Sequence, residues 1–433
     1  MKVLYLIPYS PANPVFGGAL RIYHLLAHLC KYHDVTVAGF STPDEELELI
    51  KQFPKLAGKT HCVDYPYSDK STRWSLIKSL FTSHSNWHQL TRSKQFQKKL
   101  DELLSAESFD VIQSEFPVMA MFHYNSPAVK IIDSHNVEYD NFKRMAKVKN
   151  PFKKLFYHLE AYKFYKEETA ACSQQDALLV TSERDISIFN QTVPGVPKYL
   201  IPNGVDTTYF QPFETHPIPN SMVFVGMMKY VPNYDGISWF LDEIFPKILK
   251  KVPDATITIV GKNPPKSISG RANKNIIVTG FVEDTRPYIE KSAIYVVPLR
   301  MGGGTRLKIM EALAVKKPII TTSVGCEGIE VVNDESILIA DQPDEFAARV
   351  IELFQNPKQA ADLTAKGYEL VNNLYKWESI GRQMDIAYEE LTGLQTVHSE
   401  PTGFTEEDEA AMDRWNNESN GNYNNESSKK VLK

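Results

Sequence analysis

Residues 297–311 read Val297-Pro298-Leu299-Arg300-Met301-Gly302-Gly303-Gly304-Thr305-Arg306-Leu307-Lys308-Ile309-Met310-Glu311. An apolar run ending at Val297 has the character of a buried strand, three glycines follow, and a helical pattern begins after them. In open α/β sheets, ligands bind at the carboxyl ends of the strands. A helix N-terminus offers unpaired N–H groups and a partial positive charge, which suit a phosphate. Gly302, Gly303 and Gly304, with Thr305, let the backbone approach such a ligand closely. Arg306 and Lys308 add cations able to neutralise a diphosphate leaving group. Glu311 lies three residues after Lys308 and shares its helix face, placed to accept hydrogen bonds from ribose hydroxyls. The same stretch also reads as a tight turn before a surface helix carrying a solvated Lys308–Glu311 ion pair. It is neither a Walker motif, since Gly-Lys-Ser/Thr is absent, nor a G-x-G-x-x-G run after a first strand.

Working outward, short apolar runs alternate with helix-period segments along the chain. Strands are expected at 2–8, 34–40, 59–65, 109–114, 129–133, 176–181 and 198–201, and again at 221–225, 255–260, 275–279, 293–297, 317–322 and 336–339. Between them, Ile22, Leu25, Leu26 and Leu29 follow the spacing of one helical face. Strands alternating with helices imply parallel sheets covered on both faces. Two such series imply two doubly wound domains. The stretch 211–220 carries three prolines and no apolar period, and is read as the linker. The expected domains are therefore 1–210 and 211–376, with a last amphipathic helix at 377–394. Residues 395–433 are rich in Glu, Asp, Asn and Ser and are expected to be disordered.

The bulk composition agrees with a soluble protein of more than one domain. The chain has 433 residues, 42% of them hydrophobic and 23% charged. A net charge of −5 argues against nucleic acid as the main partner. The four cysteines show no metal-ligand or C-x-x-C spacing and read as free thiols in a reducing compartment. The apolar start at 2–7 is too short for a signal-peptide core, and no run is long enough to span a bilayer. The expectation is a cytoplasmic protein, at most peripheral to the inner face of a membrane.

Seven segments of the second half, in order, resemble the family 4 retaining glycosyltransferases. They are Ile201-Pro202-Asn203-Gly204-Val205-Asp206 with Phe210, Val225-Gly226-Met227-Met228 followed by Pro232-Asn233-Tyr234-Asp235-Gly236, Ile259-Val260-Gly261, Thr279-Gly280-Phe281-Val282, the Gly302–Glu311 loop and helix, Lys317-Pro318-Ile319-Ile320-Thr321-Thr322, and Gly325-Cys326-Glu327-Gly328. The resemblance implies the α/β GT-B architecture, two Rossmann-like domains facing a central cleft with a C-terminal helix crossing back to the first. It implies that Glu311 binds the donor ribose, as the second Glu of the family's E-x7-E motif, and that Gly226 lines the donor site. The first Glu of that motif falls at Gly303. The Arg and Lys that often follow the first donor-domain strand fall at Met227 and Asn233, leaving Arg306 and Lys308 to supply the compensating charge.

In the first domain, Gly17 and Gly18 resemble the family's N-terminal glycine loop, which approaches the donor phosphates. Asp133-Ser134-His135-Asn136-Val137-Glu138 resembles its histidine loop, which makes His135 a contact for the transferred sugar and puts Asn136 beside it. Glu138 orients His135 or simply starts a helix, and Glu115 is a further sugar or acceptor candidate. The transfer implied is from a nucleotide-diphosphate sugar, a substrate rather than a cofactor, to a glycan, lipid-linked or small-molecule acceptor. No metal is expected, and the physics asks for charge stabilisation and positioning rather than a protein nucleophile. An epimerase or a non-catalytic nucleotide-sugar-binding protein on the same fold are the alternatives. Basic residues mixed with aromatics at 72–99 and 142–166 suit contact with an anionic membrane, or belong to two ordinary surface helices.

Overall fold

The computed structural model describes residues 1–14, 16–66, 75, 78–146, 151–212, 216–302 and 304–398. Gly303, parts of the two basic segments and residues 399–433 of the expected tail lie outside the described residues. The chain divides into two compact units, Met1–Pro202 with Trp377 onward, and Asn203–Lys376.

The first unit is built on seven strands: β1 (Lys2–Ile7), β2 (Asp34–Phe40), β3 (Thr60–Val63), β4 (Val111–Glu115), β5 (Val129–Ser134), β6 (Ala177–Val180) and β7 (Lys198–Leu200). Their spatial order is β3-β2-β1-β4-β5-β6-β7, with every neighbouring pair parallel. Val3 to Ile7 are buried without a break, as expected of a parallel strand covered on both faces. Ile22, Leu25, Leu26 and Leu29 of the helix Gly17–Tyr32 close one of those faces. The C-terminal helix, Trp377–Thr392, belongs to this same unit and buries Ile380, Met384, Ala387 and Tyr388. It comes close to the helix Gly17–Tyr32 because Gly381 has no side chain: a Cβ there would lie 2.2 Å from Nδ1 of His28.

The second unit carries β8 (Ile218–Val225), β9 (Thr256–Val260), β10 (Ile276–Gly280), β11 (Ser292–Val297), β12 (Ile319–Thr321) and β13 (Leu338–Ile339). The order is β10-β9-β8-β11-β12-β13, again parallel. Each expected strand has its counterpart, and both sheets are doubly wound.

The boundary differs from the expected one. The second unit begins at Asn203, ahead of the proline-rich stretch, and Ile218 already opens β8. Long-range bonds decide this. The Val205 N–H donates to the Tyr375 carbonyl at 2.7 Å, and Asn203 Nδ2 donates to Thr305 Oγ1 at 2.7 Å. Residues 203–210 are thereby held by the second unit.

Candidate active site

In each sheet the strand order reverses direction between two central strands, β1 and β4 in the first unit and β8 and β11 in the second. This is where the carboxyl ends of the strands leave a crevice for ligands. The residues singled out in the sequence gather at these two places.

In the second unit, β8 ends at Val225 and β11 at Val297. Gly226 follows β8 at a crowded point, where an added Cβ would lie 2.8 Å from the Asn233 side chain and 2.9 Å from Lys308 Nζ. After β11 the chain turns through Gly302 at φ 124° and Gly304 at φ 66°, conformations that favour glycine. Thr305 and Arg306 are buried, and the helix Leu307–Ala314 begins after them. Arg306 caps that helix with extended backbone and donates from its guanidinium to the Gly304 carbonyl, bracing the loop. Met310 and Ala314 point into the core.

Lys308 donates to the Val225 carbonyl at 2.7 Å and to Asn233 Oδ1 at 2.9 Å. The cation thus stands beside Gly226 and Asn233. Burial pulls the Lys308 ammonium down to about 7, with the Glu311 charge opposing. Burial pushes the Glu311 carboxyl up to about 7, with Lys308 opposing. Both side chains are half-buried. The approach to the loop is braced by Arg300, which holds both carboxylate oxygens of Asp235 at 2.9 and 2.8 Å and stacks over Trp239. The Arg300–Asp235 pair and Asn203 carried no site signal in the sequence.

In the first unit, Gly17 and Gly18 open the helix Gly17–Tyr32. A Cβ on Gly18 would lie 2.6 Å from the Tyr9 hydroxyl and 3.2 Å from the Phe116 ring, so aromatic side chains pack directly on the helix start. Glu115 ends β4 and His135 follows β5. Their side chains meet, with Glu115 Oε2 2.7 Å from His135 Nε2. Phe116 lies over the imidazole with ring centroids 3.9 Å apart and has a left-handed backbone at φ 67°. Such strain at a bulky residue persists only where the surroundings over-determine it, commonly at functional sites.

Beneath His135 lies a buried ion pair that the sequence did not reveal. Arg21 grips Asp133 with two hydrogen bonds of 2.8 Å and donates a third, 3.0 Å long, to the Pro202 carbonyl. Asp133 Oδ2 is 3.7 Å from His135 Nε2. Burial pulls the His135 imidazole down to about 3, which keeps it neutral, and pushes Glu115 up to about 7 against the Gln113 hydrogen bond. His135 Nδ1 is buried and takes no hydrogen-bond partner among the described residues.

Asn136 is half-buried, with its Nδ2 3.4 Å from Glu138 Oε1. Glu138 starts the helix Glu138–Met145, whose first N–H groups at Glu138 and Tyr139 are capped by the Glu168 carboxylate at 3.0 and 3.1 Å. Among the described residues, two clusters have the donor types to hold a metal. In Glu115, Asp133 and His135, Arg21 already takes both Asp133 oxygens. In His84, His88 and Glu167, the carboxylate oxygen facing the imidazoles also accepts from the Ser85 N–H.

A family model described as glycosyl transferases group 1 matches residues 219–356, most of the second unit. An uncharacterized 44.6 kDa protein in the cps region of Klebsiella pneumoniae is 24% identical over 385 residues, spanning 85% of this chain and 94% of that one. Phosphatidyl-myo-inositol mannosyltransferase of Mycobacterium tuberculosis is 24% identical over 209 residues, 45% of this chain and 54% of that one. Among solved structures, Anabaena HepE in complex with UDP superposes with a TM-score of 0.62 at 13% identity, covering 91% of this chain and 100% of that chain. The two parallel Rossmann-like sheets are of the GT-B class.

Proposed function

We propose that this chain is a group 1 glycosyl transferase that moves a hexose from a nucleoside diphosphate sugar to a glycan or lipid-linked acceptor with retention of configuration. The observation that carries the reading is the site on the second sheet. A glycine loop with two left-handed backbones stands at the point where strand order reverses, and it opens a helix bearing Lys308 and Glu311 on one face. Loop and helix N–H groups suit the diphosphate, Lys308 neutralises it, and Glu311 accepts from the ribose. Arg306 acts through the loop it braces. In the first unit, His135 and Asn136 are the candidate sugar contacts, and Gly17 and Gly18 the candidate approach to the donor phosphates.

The relatives' names favour surface polysaccharide or glycolipid synthesis: a cps-region protein and a mannosyltransferase of a phosphoinositide. HepE was solved with UDP, which makes UDP the first nucleotide to try. A thermal-shift screen of nucleotides and nucleotide sugars tests the reading. A donor at about 100 times its Kd stabilises the native state by about 2.7 kcal/mol. One donor should raise the melting temperature of the wild type, with the shift lost in Glu311→Ala and Lys308→Ala. Donor binding without turnover on any acceptor pool would point to a binding protein, and donor isomerisation without acceptor growth to an epimerase. No shift with any nucleotide would overturn the donor site.

A membrane-facing acceptor is part of the proposal. No helix among the described residues is long and apolar enough to cross a membrane. The helix Pro151–Cys172 exposes Phe152, Leu155 and Tyr162 along one stripe, with Lys153 and Lys154 beside it, and Phe81 is 84% exposed. Apolar side chains flanked by lysines fit an anionic lipid surface. Co-sedimentation with phosphatidylglycerol vesicles that Phe152→Ser/Leu155→Ser abolishes supports this contact, and no sedimentation of the wild type sinks it.

A further inference from the structure

His135 stands at the end of a buried hydrogen-bond chain that starts on the C-terminal helix. Tyr388 donates its hydroxyl to Gln113 Oε1. Gln113 Nε2 donates to Glu115 Oε1 at 2.7 Å. Glu115 Oε2 meets His135 Nε2 at 2.7 Å. Tyr388, Gln113 and Glu115 are each 0% exposed, so bulk solvent does not compete at these links.

The chain has a direction. The hydroxyl proton of Tyr388 claims the oxygen of the Gln113 amide, which turns the amide's N–H toward Glu115. Glu115 Oε1 is therefore an acceptor, and the carboxylate presents Oε2 to the imidazole as a second acceptor. A neutral imidazole carries one ring proton, and the nitrogen facing a carboxylate is the one that holds it. Asp133 Oδ2, 3.7 Å away on the same side, adds negative potential that favours a proton there. The lone pair is then left on Nδ1, the buried nitrogen without a partner. The other charged or titratable groups around this junction are Arg21, which is paired with Asp133, and Tyr5, whose phenol is held neutral by burial.

We infer that Glu115, oriented by Gln113 and by Tyr388 of the C-terminal helix, is a positioning residue that holds His135 in the Nε2–H tautomer and makes Nδ1 an obligatory acceptor for a hydroxyl of the transferred sugar. This rests on the reading of His135 as a sugar contact. It gives the site a specificity rule. A buried acceptor that gains its partner only from the ligand selects sugars with a hydroxyl there and discriminates strongly against the corresponding deoxy-sugar, which leaves the nitrogen unpaired. It also assigns the C-terminal helix a task beyond packing, since its tyrosine fixes the polarity of the chain.

Glu115→Gln tests this with little change of shape. The new amide must turn its oxygen to the Gln113 N–H, so its own N–H faces His135 Nε2. That nitrogen must then accept, and the ring proton moves to Nδ1. Long-range proton–nitrogen correlation spectra of the full chain with labelled histidine read the tautomer directly, with no donor present. The wild type at pH 8 should show His135 Nδ1 unprotonated, and Glu115→Gln should show it protonated. The variant should bind free nucleotide as the wild type does and should still bind the nucleotide sugar, because a hydroxyl can turn and accept from Nδ1–H. The analogue with an acceptor-only fluorine in place of that hydroxyl, about tenfold or more weaker than the parent sugar on the wild type, should lose much of that handicap on the variant. Tyr388→Phe, which frees the Gln113 amide to flip, should move part of the population the same way. A wild-type spectrum with Nδ1 protonated overturns the inference even if the variant fails to fold. An unchanged tautomer in Glu115→Gln, or an inverted one with an unchanged preference for the hydroxyl-bearing sugar over its fluoro analogue, also overturns it. If the tautomer inverts as expected but no nucleotide sugar binds the wild type, the transferase reading fails and the tautomer assignment stands.

Discussion

Lys308 Nζ lies 2.7 Å from the carbonyl oxygen of Val225, the last residue of β8, so the cation of the glycine-loop helix is delivered to the carboxyl end of the neighbouring strand. Its other acceptor is Asn233 Oδ1 at 2.9 Å. One ammonium on one helix therefore supplies charge to the region where both central strands of the sheet end.

That placement predicts proton-linked donor binding. Burial pulls Lys308 down to about 7 in the empty site. A diphosphate beside it favours the charged form and raises it again. Binding near pH 7.5 should therefore take up protons, and affinity should fall as pH rises above about 7, where the free lysine loses its proton. Titration calorimetry in buffers of different ionisation enthalpy measures the uptake. Lys308→Arg stays charged throughout and should lose this proton uptake, leaving only the titration of Glu311. Proton release on binding at pH 7.5 would contradict this.

A second prediction concerns the ion pair under His135. Arg21 and Asp133 are both completely buried and joined by two hydrogen bonds. Removing one partner strands a charge in the interior, at a cost of about 3–5 kcal/mol. Arg21→Met should lower stability by about that much at pH 8, measured by urea unfolding. The loss should be smaller at pH 5. Burial raises the Asp133 carboxyl. Without Arg21 it rises further, and stability tied to a raised carboxyl is lost as pH increases through the folded value. Arg21→Met/Asp133→Leu should recover most of the loss, because an apolar pair replaces a buried salt bridge with little penalty. A double variant no more stable than Arg21→Met alone would contradict the assignment.

How far the sequence carries the fold can be read from these same residues. Parallel strands buried on both faces are short apolar runs, and Val3–Ile7 or Ala293–Val297 announce themselves locally. The boundary between the units lies ahead of the proline-rich stretch for the opposite reason. Prolines at 212, 217 and 219 resemble a linker, whereas the bonds that settle the matter join Val205 to Tyr375 and Asn203 to Thr305. His135 and Glu115 stand directly after strand patterns at positions where ligands bind, so both were visible as candidates. Their meeting was not, because nothing local relates β4 to β5. Arg21 was invisible in a different way. It lies within the apolar face of Ile22, Leu25 and Leu29, and its partner is 112 residues away. Tyr388 is 275 residues from Gln113, and a tyrosine on the buried face of an amphipathic helix looks like packing alone.

The C-terminal helix supplies the third prediction. Asp385 accepts from His28 Nε2 at 2.7 Å on one oxygen and from His33 Nε2 at 2.8 Å on the other, and its side chain is 1% exposed. His398 Nε2 lies 3.6 Å from the first oxygen. Burial pushes the Asp385 carboxyl up, but the hydrogen bonds from His28 and His33 outweigh it and hold the group below its usual value. A carboxyl depressed in the folded state contributes stability that is present above its unfolded value of about 3.9 and lost as pH falls through the folded one. Asp385→Asn keeps the shape and removes the charge. Hydrogen bonds to a charged group contribute about 1.5–3 kcal/mol each, so the variant should lose about 2–4 kcal/mol at pH 7 and melt several degrees lower. The difference from wild type should shrink as pH drops below about 4 and vanish once Asp385 is protonated. Scanning calorimetry from pH 3 to pH 8 on both proteins measures it. A difference that stays constant over that range would mean that Asp385 holds the helix by shape alone.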